Sequence, residues 1–323
     1  MTVVQPKELS IEDYLTRVLA LVRPLRPCGL PLRDAFGCVL AADVRASCDL
    51  PPFHSSAMDG YAVNSADTTK ATPDRPVRLR MTGEVGMGHP AEDPLPPGGA
   101  MAVPTGGMMP PGADAVAPVE DCAAEDGVVE LSHPVEAGRH VRRPGEDLLR
   151  GEMLVPAGRR LEAADLGLLA AAGHAEVSVI PRPAVGLLST GNELVGPGGR
   201  PGGGQIFESN SFLLDGLIRR AGGQPQYCGA VPDDPDALQA ALCAAAGSSD
   251  LLVCSGGVSA GRNDPVRRAF PPGSGVEPVQ IAVQPGRPQA AGTVCGKPFF
   301  GLPGNPMAAL VAFELFVAPA VPR

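Results

Sequence analysis

Residues 250–264 read DLLVCSGGVSAGRND, an apolar core from Leu251 to Cys254 closed by Ser255, Gly256 and Gly257. A short apolar run without polar alternation suits a strand covered on both faces, as in a parallel sheet. Strands and helices alternate on both sides of it. "AVGLLST" (184–190) is strand-like, a helix is expected near Ser211–Ala221, and "PQYCGAV" (225–231) is a strand. Asp234 and Pro235 suit the cap and first turn of a helix over 235–246. "KPFFGLP" (297–303) is a further strand, and Asn305 can cap a last helix starting at Pro306. This pattern predicts an α/β domain on a doubly wound, mostly parallel sheet.

Nearer the start, Ser10 can cap a helix and Asp13 can reach back to it. Ile11, Leu15, Val18, Leu19 and Val22 share one helical face, and Pro24 and Pro27 end it. From about 45 to 140 the texture is β-rich. Val77, Leu79 and Met81 alternate with Arg78 and Arg80, a half-buried strand. Asp126-Gly127, between "AVAPVE" (115–120) and "VVELSH" (128–133), marks a hairpin. Prolines crowd 90–112, and a helical pattern over 163–172 stops at Gly173.

A chain of 323 residues exceeds one small core and points to two or three domains. Trp is absent while Gly (41) and Pro (37) abound, so tight turns are many. The net charge of −9 comes without a basic tail, which argues against a nucleic-acid partner. The start, MTVVQPKELS, lacks the pattern of a signal peptide. The apolar run Ala308–Val321 is interrupted by Glu314 and Pro319 and falls short of the ~20 residues that span a bilayer, so no membrane association is expected. Cysteines 28, 38, 48, 122, 228, 243, 254 and 295 form no C-x-x-C pair and read as reduced core thiols of a cytoplasmic protein. His54, His89, His133, His140 and His174 show no metal-ligand spacing.

In doubly wound sheets ligands sit off the carboxyl ends of the strands. Three strand ends carry glycine-rich loops: "STGNE" (189–193), "SGGVSAGRND" (255–264) and "GLPGNP" (301–306). Each is either a tight turn or part of an anion site; three on one edge favour a site. No dinucleotide or P-loop fingerprint occurs, and Ser189, Ser255 and Ser259 lack a G-x-S-x-G frame. Carboxylates gather at Glu193, Asp233 and Asp264, with Asp59 and Asp147 elsewhere. Near a phosphate they make sense only with a divalent cation between. Each has a bland alternative: Asp59-Gly60 as a turn, Asp233 as a helix cap, Glu193 and Asp264 as solvated charges, Asp147 as a turn closure.

The ordered set "PPFHSSAMDGYAV" (51–63), "TGE" (82–84), "VPTGGMMPPGADAV" (103–116), "RRPGEDLLRGEMLVPAG" (142–158), "STGNEL" (189–194), "SGGVSAGRND" and "GLPGNP" resembles the molybdopterin molybdenumtransferase family. The resemblance implies an elongated linker domain from 1–45 and 141–178, an inserted β-rich domain at 46–140, and a molybdopterin-binding α/β domain at 179–323. The family's C-terminal β-barrel would be absent. It implies a homodimer whose cleft is shared between subunits. The implied reaction places molybdenum from molybdate on adenylylated molybdopterin and releases AMP, assisted by a divalent cation, Mg²⁺. Matched by motif, Asp59, Asp147, Glu193, Asp233 and Asp264 would be catalytic, with Glu193, Asp233 and Asp264 holding the metal. Substrate would be bound by Thr105, by Ser189, Thr190 and Gly191, and by Ser255, Gly256, Gly257, Ser259 and Gly261. Arg287 and the run Pro303, Gly304, Asn305 and Pro306 complete that set, the glycine loops acting through backbone N–H groups.

The chain departs from the family pattern at several positions. Gln280 and Gln284 stand where the family usually has lysines, leaving Arg287 as the retained cation. Arg262 replaces an acidic or neutral residue, and Ser56 an asparagine. Two functions therefore stand: a molybdenum insertase, or a non-catalytic carrier of molybdopterin or its adenylate.

Overall fold

A computed structural model of the chain describes residues 8–258 and 264–321. It divides into two compact units, one comprising the described residues within 1–30, 35–41 and 178–323, the other 31–34 and 42–177.

The chain enters the first unit through helix α1 (Ile11–Leu21). The Asp13 N–H donates to Ser10 Oγ at 3.0 Å, the expected cap, and extended Val22 ends the helix. Tyr14 and Val18 are buried in the core of this unit, where the Tyr14 ring meets Phe316 edge-on with centroids 4.8 Å apart.

The second unit carries a six-stranded sheet of β1 (Gly60–Val63), β2 (Val77–Glu84), β3 (Gly99–Val103), β4 (Ala115–Pro118), β5 (Cys122–Glu125) and β6 (Val128–Leu131). Their order is β4-β1-β3-β2-β6-β5, with only β2 and β3 parallel. The alternation read at 77–81 is realised: Leu79 turns inward and Arg78 and Arg80 outward. Asp126 and Gly127 form the two-residue turn, with φ of 50° and 74°, the left-handed pair a tight hairpin requires. The partner of β6 across that turn is β5, whereas "AVAP" pairs with β1. The exposed β5 sequence "CAAE" shows no alternation that could have announced it. Helix α2 (Ala163–Ala171) ends ahead of Gly173, at φ 84°.

In the first unit the second sheet contains β7 (Ala184–Thr190), β8 (Gln224–Val231), β9 (Leu251–Ser255), β10 (Val276–Gln280), β11 (Pro288–Val294) and β12 (Lys297–Leu302). The order is β8-β7-β9-β12-β11-β10. β8, β7, β9 and β12 are mutually parallel, while β11 runs antiparallel to both its neighbours. Helices α3 (Asn210–Ala221), α4 (Pro235–Ala246), α5 (Pro265–Ala269) and α6 (Pro306–Ala312) complete the unit. The last continues into a π-helical turn over Phe313–Val317.

Alternation within the apolar strands sorts residues to two faces. Val185, Leu187, Val253 and Phe300 pack with Tyr14, Leu214, Ile218 and Phe316 on one side. Leu188, Leu252, Cys254 and Phe299 pack with Leu238, Leu242 and Val266 on the other. Each such side chain, fully buried, contributes about 1.5–3 kcal/mol, so both faces stabilise the sheet. This is the doubly wound, mostly parallel α/β architecture that the sequence predicts.

The cysteines depart from expectation. Cys243 of α4 and Cys295 of the β11–β12 turn form a disulfide, with Cα atoms 5.5 Å apart. Packing of α4 against this sheet brings together two thiols separated by 52 residues. Of the free cysteines only Cys38 and Cys254 are buried; Cys28 and Cys228 are exposed on strands whose outward positions face solvent.

Candidate functional site

Parallel pairing places the carboxyl ends of β7, β9 and β12 side by side, at Thr190, Ser255 and Leu302. The three glycine-rich loops leave from these ends. Gly256 follows β9 at φ 92°, and a Cβ there would collide with the Thr190 carbonyl, so glycine alone lets the two loops touch. The Gly256 N–H donates to the Leu302 carbonyl at 2.9 Å and the Gly191 N–H to that of Val231 at 3.2 Å. These two donors therefore hold the loops to each other and to β8.

A cavity of about 530 Å³ opens over this edge. Thr190, Gly191, Glu193, Asp233, Asp264, Ser255, Gly256, Gly257, Pro303, Gly304 and Pro306 of the expected set line it. Asp233 accepts hydrogen bonds from Thr190 Oγ1 at 2.9 Å and the Asn192 N–H at 3.4 Å, while its own N–H donates to Asn192 Oδ1. The cap of α4 is the neighbouring Asp234, which accepts from the Ala237 N–H at 2.8 Å. Asp264 is buried and caps α5, accepting from the Val266 and Arg267 N–H groups at 3.1 and 3.2 Å. Exposed Glu193 folds its carboxylate over Gly191.

Among the described residues no three His, Cys, Asp or Glu side chains are placed to hold a metal ion. Glu193, Asp233 and Asp264 thus border one cavity without forming a three-carboxylate cage. Two of them are already engaged by neighbouring donors.

Other expected residues fall beside the cavity. Ser189 is fully buried and donates to Glu208 Oε1 at 3.0 Å. Asn305 caps α6, accepting from the Met307 and Ala308 N–H groups at 3.0 and 3.2 Å. Arg287 pairs with Glu8 at 2.9 Å, so its charge is already met within the chain. Ser259, Gly261 and the substituted Arg262 lie outside the described residues.

Sequence reasoning missed Glu208 and Asn210. Glu208 is buried in the cavity wall and accepts from Ser189 Oγ and from the N–H and Oγ of Ser211. Its i to i+3 spacing to Ser211, just where α3 begins, was the available signal.

In the second unit, the Thr105 N–H donates to Asp59 Oδ1 at 2.7 Å. That bond holds the Asp59 carboxyl below the usual carboxylate range. Gly60 is no turn residue. It begins β1, and a Cβ there would strike the Ala117 carbonyl of β4. The glycine beside Asp59 thus permits a close strand approach, leaving the carboxylate exposed at the strand entrance. Asp147 pairs with Arg142, and its N–H donates to the Leu50 carbonyl at 2.9 Å. Ser56 Oγ folds back onto the Met58 carbonyl.

Fold and cavity together define a doubly wound α/β domain with a ligand cleft at its strand ends. Residues 9–173 match the family described as MoeA N-terminal region (domain I and II), and residues 186–323 that described as probable molybdopterin binding domain. Over 318 residues the chain is 42% identical to molybdopterin molybdenumtransferase 2 of Mycobacterium tuberculosis (strain ATCC 25618 / H37Rv), spanning 96% of this chain and 78% of that protein. It is 35% identical over 317 residues to the molybdopterin molybdenumtransferase of Haemophilus influenzae, spanning 98% of this chain and 77% of the other. A crystal structure of a molybdopterin biosynthesis moea protein from Pyrococcus horikosii superposes with a TM-score of 0.74 at 35% identity, covering 98% of this chain and 80% of that one. The chain belongs to the molybdopterin molybdenumtransferase family.

Proposed function

We propose that the protein is a molybdopterin molybdenumtransferase of molybdenum cofactor biosynthesis, converting adenylylated molybdopterin and molybdate to molybdenum cofactor and AMP. The observation that carries this reading is the cavity that unites three glycine loops with Glu193, Asp233 and Asp264 at the ends of parallel strands. Glycine lets the backbone approach the ligand, and Pro303 and Pro306 add apolar surface to the cavity lining.

The donor set suits Mg²⁺, a hard cation bound through one or two carboxylates together with substrate phosphates. Glu193 and Asp233 are the residues to hold it, with Asp264 on the same cavity lining fixing the start of α5. When bound, the ion supplies charge neutralisation at the phosphoryl oxygens. Thr190 and Asn192 fix the Asp233 carboxylate at the cavity wall by their hydrogen bonds, one to each oxygen. The Thr105 N–H orients the Asp59 carboxylate and lowers its proton affinity further. A homodimer with a shared cleft belongs to the same proposal.

One observation favours the carrier reading. Among the described residues, no Lys or Arg lines the cavity, and Arg287 is paired with Glu8. An oxyanion substrate would meet no cation from the described residues there.

One assay separates the two. Purified protein is incubated with adenylylated molybdopterin, Mg²⁺ and molybdate, and AMP release and reconstitution of an apo-molybdoenzyme are followed. The transferase reading expects both. Pterin binding without AMP release selects the carrier. Asp59→Ala is expected to abolish AMP release while changing stability by less than about 0.5 kcal/mol, since the side chain is exposed. Undiminished turnover would remove Asp59 from the site.

A further inference from the structure

Asn210, the first residue of α3, lines the cavity although it is only 8% exposed. Its Nδ2 donates to the Gly304 carbonyl at 2.8 Å, which fixes the orientation of the amide. Its Oδ1 then has no donor among the described residues. Buried acceptors are nearly always satisfied, and an orphan in a ligand cavity calls for a donor that arrives with the ligand.

The surroundings narrow that donor's chemistry. Glu208, two residues earlier in the same wall, is hydrogen-bonded by Ser189 and Ser211 at both oxygens, so the orphan at Asn210 is a local feature. A cationic donor would be drawn to the carboxylates of Glu193 and Asp233; a neutral amide oxygen suits a neutral N–H. Ile206 and Phe207, 56% and 50% exposed, present apolar surface to the same cavity. Apolar faces beside a lone acceptor suit a planar heterocycle with an N–H edge.

We infer that Asn210 Oδ1 reads the exocyclic 2-amino group of the pterin, making Asn210 a specificity-determining residue held in place by Gly304. The inference rests on the molybdopterin reading above. A ligand lacking the amino group leaves Oδ1 unpaired, so the cost falls on the analogue rather than on the protein alone.

The probes are 6-hydroxymethylpterin phosphate and its 2-desamino analogue, in which hydrogen replaces the amino group. Binding of each is measured by calorimetry. The wild type is expected to bind the amino compound roughly tenfold more tightly. Asn210→Leu is expected to bring the two affinities within about twofold, chiefly by weakening the amino compound. Circular dichroism checks the fold, and Asn210→Ala carries the same comparison should the leucine variant not fold. If Asn210 served only to clamp Gly304, substitution would weaken both compounds by the same factor, which overturns the assignment. Binding of both compounds to the wild type without preference overturns it as well. Failure of the wild type to bind either compound overturns the molybdopterin reading itself and the assignment with it.

Discussion

Glu208 gathers the ends of two strands onto the start of a helix. Ser255 Oγ reaches Ser189 Oγ at 3.4 Å, Ser189 donates to Glu208, and Glu208 accepts twice more from Ser211. Removing a buried acceptor strands its donors, so Glu208→Ala should destabilise the protein by about 3 kcal/mol. The midpoint of urea denaturation reads this directly, and a loss under about 0.5 kcal/mol would show that the network carries no weight. Cys254 gives a second test at the same scale. Burial pushes its thiol up to about 12, with the Asp264 and Asp233 carboxylates adding to the effect. Only the thiolate is alkylated, so at pH 8 iodoacetamide should modify exposed Cys28 and Cys228 at least roughly a hundredfold faster than Cys254. Peptide mapping after timed quenching gives the rates, and comparable labelling of all three in the folded protein contradicts the burial.

Helix starts are where local chemistry and sequence pattern coincide. Ser10, Asp234 with Pro235, and Asn305 with Pro306 all cap as the sequence predicts, because capping involves only residues within one turn. Helix α2 adds a case with a pH signature. Asp165 accepts from Arg159 Nε at 2.8 Å and from the Glu162 N–H at 2.9 Å, and these bonds hold its carboxyl below the usual range. A folded-state value below the unfolded one stabilises at pH above the usual carboxylate range, and this contribution is lost as pH falls through that range to the lowered value. Asp165→Asn leaves one acceptor for two donors and removes the charge, and should therefore cost about 1 kcal/mol at pH 7, the Arg159 share being reduced because that side chain is half exposed. The difference in melting temperature from wild type should shrink between pH 6 and pH 3; a pH-independent gap would reject the assignment. Edge strands were less legible. β5, at one edge, lacks alternation, and β10, at the other, carries Pro278, so their strand character comes from pairing with the neighbouring strand and not from their own residue pattern. The cavity was legible as far as its loops, because glycine marks sharp backbone geometry. Asn210 was not, since its role depends on Gly304, far along the chain, and Glu208 was legible only through its local spacing to Ser211, its bond from Ser189 being remote.

At the scale of the molecule, each unit has its own core. One is built around Val63, Leu79, Ala100 and Val129 and the other around the two faces of the parallel sheet. The Cys243–Cys295 bridge belongs wholly to the unit of the parallel sheet and ties α4 to the β11–β12 turn across 52 residues. Sequence could not reveal it, because eight cysteines allow many pairings and their spacing carries no geometry. A crosslink closing a loop of that length limits the unfolded chain, a contribution of about 4 kcal/mol in the chain-entropy description. Its loss should therefore be felt where the loop lies. In Cys243→Ser with Cys295→Ser, hydrogen exchange is expected to quicken in peptides spanning α4, β11 and β12, by the amount that local opening becomes easier. Peptides from β1 to β6, held by a separate core, should keep their protection. Exchange that quickens equally in both units would mean that the cores open as one cooperative block, and unchanged exchange throughout would mean that α4 and the hairpin are held by packing alone, through Leu238, Leu242, Val294, Phe299 and their neighbours.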